Sequence, residues 1–229
     1  MKETKTFSVS GFDRISFRAF GDIHLIQGDE ESLEVEGPED TLDHLKVEVE
    51  NGELVIRLYT WTDFLFLPKH CDFTMKVKSL RGLEILGSAN ADCASLQSAD
   101  LKLAISGSGK MDFTKIEAQN LAMTVSGSGD LTVDSLTATS LDAAASGTGR
   151  FNLKGSVPVQ KISISGSGHF EGEDLAGDEV EIHISGAGSM RVNAAKALAV
   201  SISGSGEVAY RGAPVIKQRI SGAGTVHPI

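Results

Sequence analysis

Residues 101–133 read LKLAISGSGKMDFTKIEAQNLAMTVSGSGDLTV, and two copies of one tetrapeptide, Ser106-Gly107-Ser108-Gly109 and Ser126-Gly127-Ser128-Gly129, stand 20 residues apart in this stretch. Ser-Gly-(Ser/Ala/Thr)-Gly begins again at Ser146, Ser165, Ser185, Ser203 and Ser221, giving spacings of 20, 20, 19, 20, 18 and 18. A degenerate copy, Gly87-Ser88-Ala89-Asn90, lies one period upstream. A fixed period of this size is the mark of a repeat architecture. The flanks repeat as well. Ile105, Val125, Ala145, Ile164, Ile184, Ile202 and Ile220 precede the motif by one residue. Leu103, Met123, Ala143, Ile162, Ile182 and Val200 precede it by three, with Gln218 the exception. Met111, Leu131, Phe151, Phe170, Met190, Val208 and Val226 follow the motif serine by five. Alternation with period two on both sides of a glycine corner reads as two strands per repeat. Ile116 and Ala118, matched by Leu136 and Ala138, suggest a third apolar wall.

The expected fold is therefore all-β. It is a single-stranded parallel β-helix solenoid, with in-register coils stacked about 4.8 Å apart. Right-handed coiling follows from the bias of parallel crossovers and from the lack of a hexapeptide period. The glycines are expected to supply positive-φ corners, and the small third residue lets successive corners stack. Residues 72–229 would hold about eight coils of 18–20 residues. Residues 1–71 read as an antiparallel β segment capping the first coil. Turns at Gln27-Gly28-Asp29 and Gly37-Pro38 separate extended runs, Pro38 opens a short helix through Leu42 and Leu45, and Asn51-Gly52 between LKVEVE and ELVIRLY is a strong hairpin signal.

Composition narrows the function. The chain has 229 residues, 25 of them glycine, and 21 basic against 31 acidic side chains, a formal charge of −10. With no Lys/Arg block, nucleic acid is not an expected partner. No apolar run is long enough to span a membrane, and the start MKETKTFSVSGF lacks a secretory h-region. Cys71 and Cys93 have neither CxxC nor metal spacing and read as buried free thiols rather than a disulfide.

Catalytic constellations fail one by one. Ser106-Gly107-Ser108-Gly109-Lys110 lacks the earlier glycine and the following Ser/Thr of a phosphate loop. The position of Lys110 is taken elsewhere by Asp130, Arg150, His169, Ser189, Glu207 and Thr225, as suits a solvated corner. Calcium-binding repeats need a period of nine, and a serine hydrolase needs G-x-S-x-G. The six histidines form no ligand motif, so no metal, cofactor or catalytic residue is singled out. The cluster Glu171, Glu173, Asp174, Asp178, Glu179 and Glu181 is the one dense set of carboxylates, and its simple reading is a charged loop that discourages lateral association. In YTWTDFLFLP, Trp61, Phe64 and Phe66 form either a plug for the solenoid end or a partner patch.

The entry pattern is Phe12 and Ile15, then Phe20-Gly21-Asp22-Ile23, Gln27-Gly28-Asp29, Val35-Glu36-Gly37 and Asn51-Gly52-Glu53-Leu54, followed by the ISGSG repeats. Over nearly the whole chain this resembles the bacterial domains described as "putative auto-transporter adhesin, head GIN domain". The resemblance implies a β-helix-type solenoid of the cell envelope or surface with no assigned enzymatic activity. The expected function is thus a non-catalytic structural, interaction or adhesion module, not an enzyme. Its partner would be a protein or polysaccharide at the cell surface, with homo-oligomerisation through the open solenoid end at Thr225–Ile229. The alternative is a carbohydrate-active β-helix enzyme.

Overall fold

The computed structural model describes residues 2–58 and 69–229. Strand accounts for 78% of the chain and helix for 2%, arranged as a β-solenoid of about 7 turns. At the N-terminus lie β1 (Lys2–Phe7), β2 (Arg14–Arg18), β3 (Gly21–Gln27) and β4 (Ser32–Pro38). One helical turn, α1 (Glu39–Asp43), leads into β5 (Leu45–Glu50) and β6 (Glu53–Leu58), and the described chain resumes with β7 (Cys71–Val77) and β8 (Gly82–Gly87). The repeat region follows as β9 (Asn90–Gly107), β10 (Lys110–Gly127), β11 (Asp130–Gly147), β12 (Arg150–Ser156), β13 (Val159–Gly166) and β14 (His169–Gly186). It ends in β15 (Ser189–Gly204), β16 (Glu207–Arg211), β17 (Val215–Gly222) and β18 (Thr225–Pro228).

Across the successive 20-residue repeats of β9, β10 and β11 the register is unbroken. Met111 sits on Ala91 and under Leu131, and Val125 lies between Ile105 and Ala145. Where the sequence spacing changes, the ladder carries an irregularity. The 19-residue repeat shifts register against both neighbouring coils, between Val133 and Leu136 on one side and between Asn152 and Gly155 on the other, and the first 18-residue repeat shifts it at Gly172/Ala176 and Gly177/Glu179. Inward positions form continuous buried columns, including Ile23, Ala91, Met111, Leu131, Phe151, Phe170 and Met190. The third wall is present too, with Leu96, Ile116, Leu136 and Leu175 buried.

The two glycines of each corner have different physical reasons. Gly127, the first of its pair, has φ +123, and a Cβ there would stand 2.4 Å from the carbonyl oxygen of Gly107 one coil below. Gly129 is not in the positive-φ region. Its hydrogen faces Ile105, whose Cγ2 would be 2.6 Å from an added Cβ. The expectation that corner glycines serve dihedral freedom therefore holds for the first of each pair, while close packing on the previous coil explains the second.

The N-terminal region interleaves with the solenoid. β2 pairs in parallel with both β6 and β8, and β3 with both β7 and β9. Residues 14–27 thus form a rung lying between the rung of β6 and β7 and the rung of β8 and β9. Antiparallel pairing among the described residues is confined to β1 with β4, β4 with β7, and β5 with β6. Parallel coils accordingly begin well before residue 72, because RISFR and GDIHLIQ carry the same alternation around the bend at Phe20-Gly21. The hairpin turn is as the sequence predicts, with Asn51 at φ 52 and Gly52 at φ 77, the two positive angles of a type I′ turn. The helix after Pro38 is shorter than expected, and Leu45 belongs to β5.

Cys71 and Cys93 are free and buried. Cys71 aligns with Gly21 at a corner on one side of β3, whereas Cys93 aligns with Leu25 in an inward column on its other side, two rungs from Cys71 and too far apart for a disulfide.

Candidate functional site

The main cleft among the described residues runs along the outside of β9, β10 and β11 where they meet the N-terminal loops, with a volume of about 1080 Å³. Its floor is a ladder built by register. Asn120 Nδ2 donates to Asp100 Oδ1 at 2.8 Å, and Ser140 Oγ donates to Asn120 Oδ1 at 2.9 Å. Leu101, Leu121 and Leu141, next in sequence, point inward and anchor these polar neighbours. The rim is of mixed sign. Arg14, Lys78, Arg81, Lys102 and Lys161 line it together with Asp13, Glu31 and Asp142, and Asp100 adds a carboxylate on the floor. Asp13 lies 3.5 Å from Arg14 and 3.8 Å from Arg81, and Glu31 accepts a hydrogen bond of 3.0 Å from the Gly11 amide. Because neither sign dominates, the groove is not an anion funnel.

Three of the six carboxylates in the acidic cluster, Glu173, Asp174 and Asp178, pair with cations of later coils. Glu173 pairs with Arg191 at 3.5 Å and also with Arg211, Asp174 lies 3.8 Å from Arg211, and Asp178 lies 2.9 Å from Lys196. Glu181 meets His183 at 2.9 Å. This suits a solvated, ion-paired face. The corner position of Lys110 stacks as the expected mixed column, with Asp130 4.0 Å from Arg150. Trp61, Phe64 and Phe66, the sequence candidates for a partner patch, lie outside the described residues. At the other end the inward residues Ile216 and Ile220 of the last rung are each 37% exposed, and Val215 is 71% exposed.

Some carboxyls have displaced proton affinities. The hydrogen bond from Lys46 holds Glu48 below the usual carboxylate range, and that from Lys115 does the same for Glu117. A glycosidase acid needs the opposite displacement. The linear search for ligand motifs missed one grouping. Asp22, His70 and Asp72 place their ligand atoms within 4.8 Å of one another. The signal available was the His70-x-Asp72 spacing, which puts both residues on one face of an extended segment, but Asp22 joins them only through the pairing of β3 with β7.

The match to known sequences covers residues 11–135 and 114–214, and the family is described as "Putative auto-transporter adhesin, head GIN domain". The chain belongs to this family. Among solved structures similar to this head GIN domain chain is one described as a "putative lipid binding protein" from Parabacteroides distasonis. It is 24% identical with a TM-score of 0.93, and the alignment covers 100% of this chain and 96% of that one. Another, described as a "putative adhesin" from Parabacteroides merdae, is 23% identical with a TM-score of 0.92, covering 100% and 96% of the two chains. At these identities the likeness establishes the fold. A search of curated proteins finds no match. No helix among the described residues is long and apolar enough to cross a membrane.

Proposed function

We propose that this head GIN domain chain is a non-catalytic interaction module of a bacterial cell envelope that holds an extended, hydroxyl-rich polymer, a surface polysaccharide, along the Asp100, Asn120 and Ser140 ladder. The ladder carries the reading. It places a hydrogen-bonding side chain at each coil spacing of about 4.8 Å along an open groove, so a polymer lying parallel to the solenoid axis meets a polar group at each step. The mixed rim suits a neutral or zwitterionic chain better than a polyanion. Family membership supports the envelope location and the adhesive role.

The test is affinity electrophoresis of the full chain through gels containing individual bacterial and host polysaccharides, with chromatography of the same mixtures for released oligosaccharides. Retardation by a polymer, weakened by Asn120→Leu and without product release, is the expected result. Retardation unchanged in Asn120→Leu rejects the groove. Oligosaccharide release abolished by Asp100→Asn with Asp142→Asn rejects the non-catalytic reading in favour of a carbohydrate-active enzyme.

A further inference from the structure

Asp22 on β3 and Asp72 on β7 are register partners on adjacent rungs, and His70 stands two residues before Asp72. His70 Nε2 lies 3.3 Å from Asp22 Oδ2 and 3.4 Å from Asp72 Oδ1. A single N–H cannot point well at two acceptors on different rungs, yet both separations match those of ligands sharing one ion, and all three ligand atoms lie within 4.8 Å of one another. At metal–ligand distances of about 2.0–2.2 Å, tetrahedral ligands stand about 3.3–3.6 Å apart. The remaining oxygens are occupied. Asn90 Nδ2 donates to Asp22 Oδ1 at 2.9 Å, and Lys2 Nζ donates to Asp72 Oδ2 at 3.2 Å while also lying 3.3 Å from Glu36. Each carboxylate is therefore held by one oxygen and presents the other toward the imidazole, the outer-shell arrangement that orients metal ligands. Phe20 packs edge-on to the His70 ring at 5.8 Å and 90°.

We propose that Asp22, His70 and Asp72 form a binding site for a divalent transition-metal ion of the zinc class. One imidazole nitrogen with two carboxylate oxygens fits such an ion better than calcium or magnesium, which take oxygen ligands. His70 is exposed, so further coordination positions open to water or to a ligand from outside. Bound there, the ion clips two rungs of the N-terminal solenoid together at the point where the described chain re-enters after residues 59–68. This proposal stands independently of the polysaccharide groove, which lies on other residues.

The experiment uses the untagged full chain, stripped with chelator. Zinc chloride is titrated in by calorimetry, and cobalt chloride with visible absorption reads the coordination geometry. One equivalent of zinc and intense tetrahedral cobalt bands are expected. His70→Ala and Asp22→Asn should each weaken binding at least tenfold, and Asn90→Ala should weaken it by about tenfold through loss of the outer-shell contact. His183→Ala, a histidine paired with Glu181 on a distant rung, should bind as the parent does. Circular dichroism establishes that each variant is folded. Absence of zinc binding by the folded parent chain, or binding by folded His70→Ala as tight as the parent's, overturns the proposal.

Discussion

Three glycine-to-alanine changes separate the two reasons for the corner motif. Gly87 has φ +124 with nothing within 4 Å of an added Cβ, so Gly87→Ala carries backbone strain alone. Gly129→Ala carries crowding alone, its Cβ falling 2.6 Å from Ile105 Cγ2 and 2.8 Å from the Gly109 carbonyl oxygen. Gly127→Ala carries both, with φ +123 and a Cβ 2.4 Å from the Gly107 carbonyl oxygen. Strain at such an angle costs about 1–3 kcal/mol, overpacking against atoms that cannot swing away costs about 1–3 kcal/mol, and the stiffer unfolded chain returns about 0.4–1 kcal/mol. Central expectations are thus losses of about 1.3 kcal/mol for Gly87→Ala, about 1.3 kcal/mol for Gly129→Ala and about 3.3 kcal/mol for Gly127→Ala. Urea unfolding followed by far-ultraviolet circular dichroism measures the loss. Hydrogen exchange at the mutated corner covers the case in which a stack of coils unfolds in parts. If Gly87→Ala proves as damaging as Gly127→Ala, or if Gly127→Ala unfolds at the parent's midpoint, the account of the corner by crowding between coils is refuted.

Ile105 and Ile164 are buried in one inward column, 0% and 2% exposed, and replacing either with Asp should cost about 3–5 kcal/mol in urea titrations because the charge finds no partner. Gln160 is buried, donates from Nε2 to the carbonyls of Val157 at 3.1 Å and Leu175 at 3.5 Å, and leaves Oε1 without a partner. Gln160→Glu should destabilise by about 3 kcal/mol or more at neutral pH. Burial raises the folded-state pKa of the new carboxyl, so stability should recover as pH falls toward its unfolded value, and no recovery would count against a buried, donor-free site. The hydrogen bond to Glu207 at 2.9 Å, then that to the Pro228 carbonyl, raise the pKa of His227, with Arg191 opposing. The stabilisation is complete below the ordinary histidine value of about 6.5 and is lost as pH rises through the raised folded value. Amides of the last rung, after correction for intrinsic exchange, should open more readily at high pH, and His227→Gln should flatten that dependence.

The solenoid was legible because its period writes the same inward residues at the same offsets coil after coil. A column such as Ile105, Val125 and Ala145 can be read without knowing any contact. Even the irregularities are visible as changes of spacing, since a 19-residue or 18-residue repeat must drop residues from the ladder somewhere. What the period cannot reveal is a rung that enters out of order. β2 and β3 lie beside β8 and β9 in space but more than 60 residues away in sequence, so no 20-residue comparison finds them. The separate reason for the second corner glycine was hidden for a related cause. It depends on the methyl group of a residue 24 positions earlier, Ile105 under Gly129, and becomes apparent only when the coils are stacked.

The same logic explains why the candidate sites were harder to read than the fold. A catalytic motif is sought as a pattern along one segment, whereas a stacked β-coil brings together residues that share a column and nothing else. Asp100, Asn120 and Ser140 are three different side chains at a position that looks merely polar in each repeat, and their hydrogen-bonded ladder exists only across the stack. Asp22 and Asp72 are 50 residues apart, yet on the solenoid they are nearest neighbours, and the imidazole of His70 falls between their free oxygens. Outward residues are free of the packing that fixes the inward columns, so they can differ from one rung to the next without disturbing the fold. It follows that on this architecture chemistry is to be sought in outward side chains that the stacking of coils, not the sequence, brings together. The imidazole-and-carboxylate grouping on β3 and β7 is one such set.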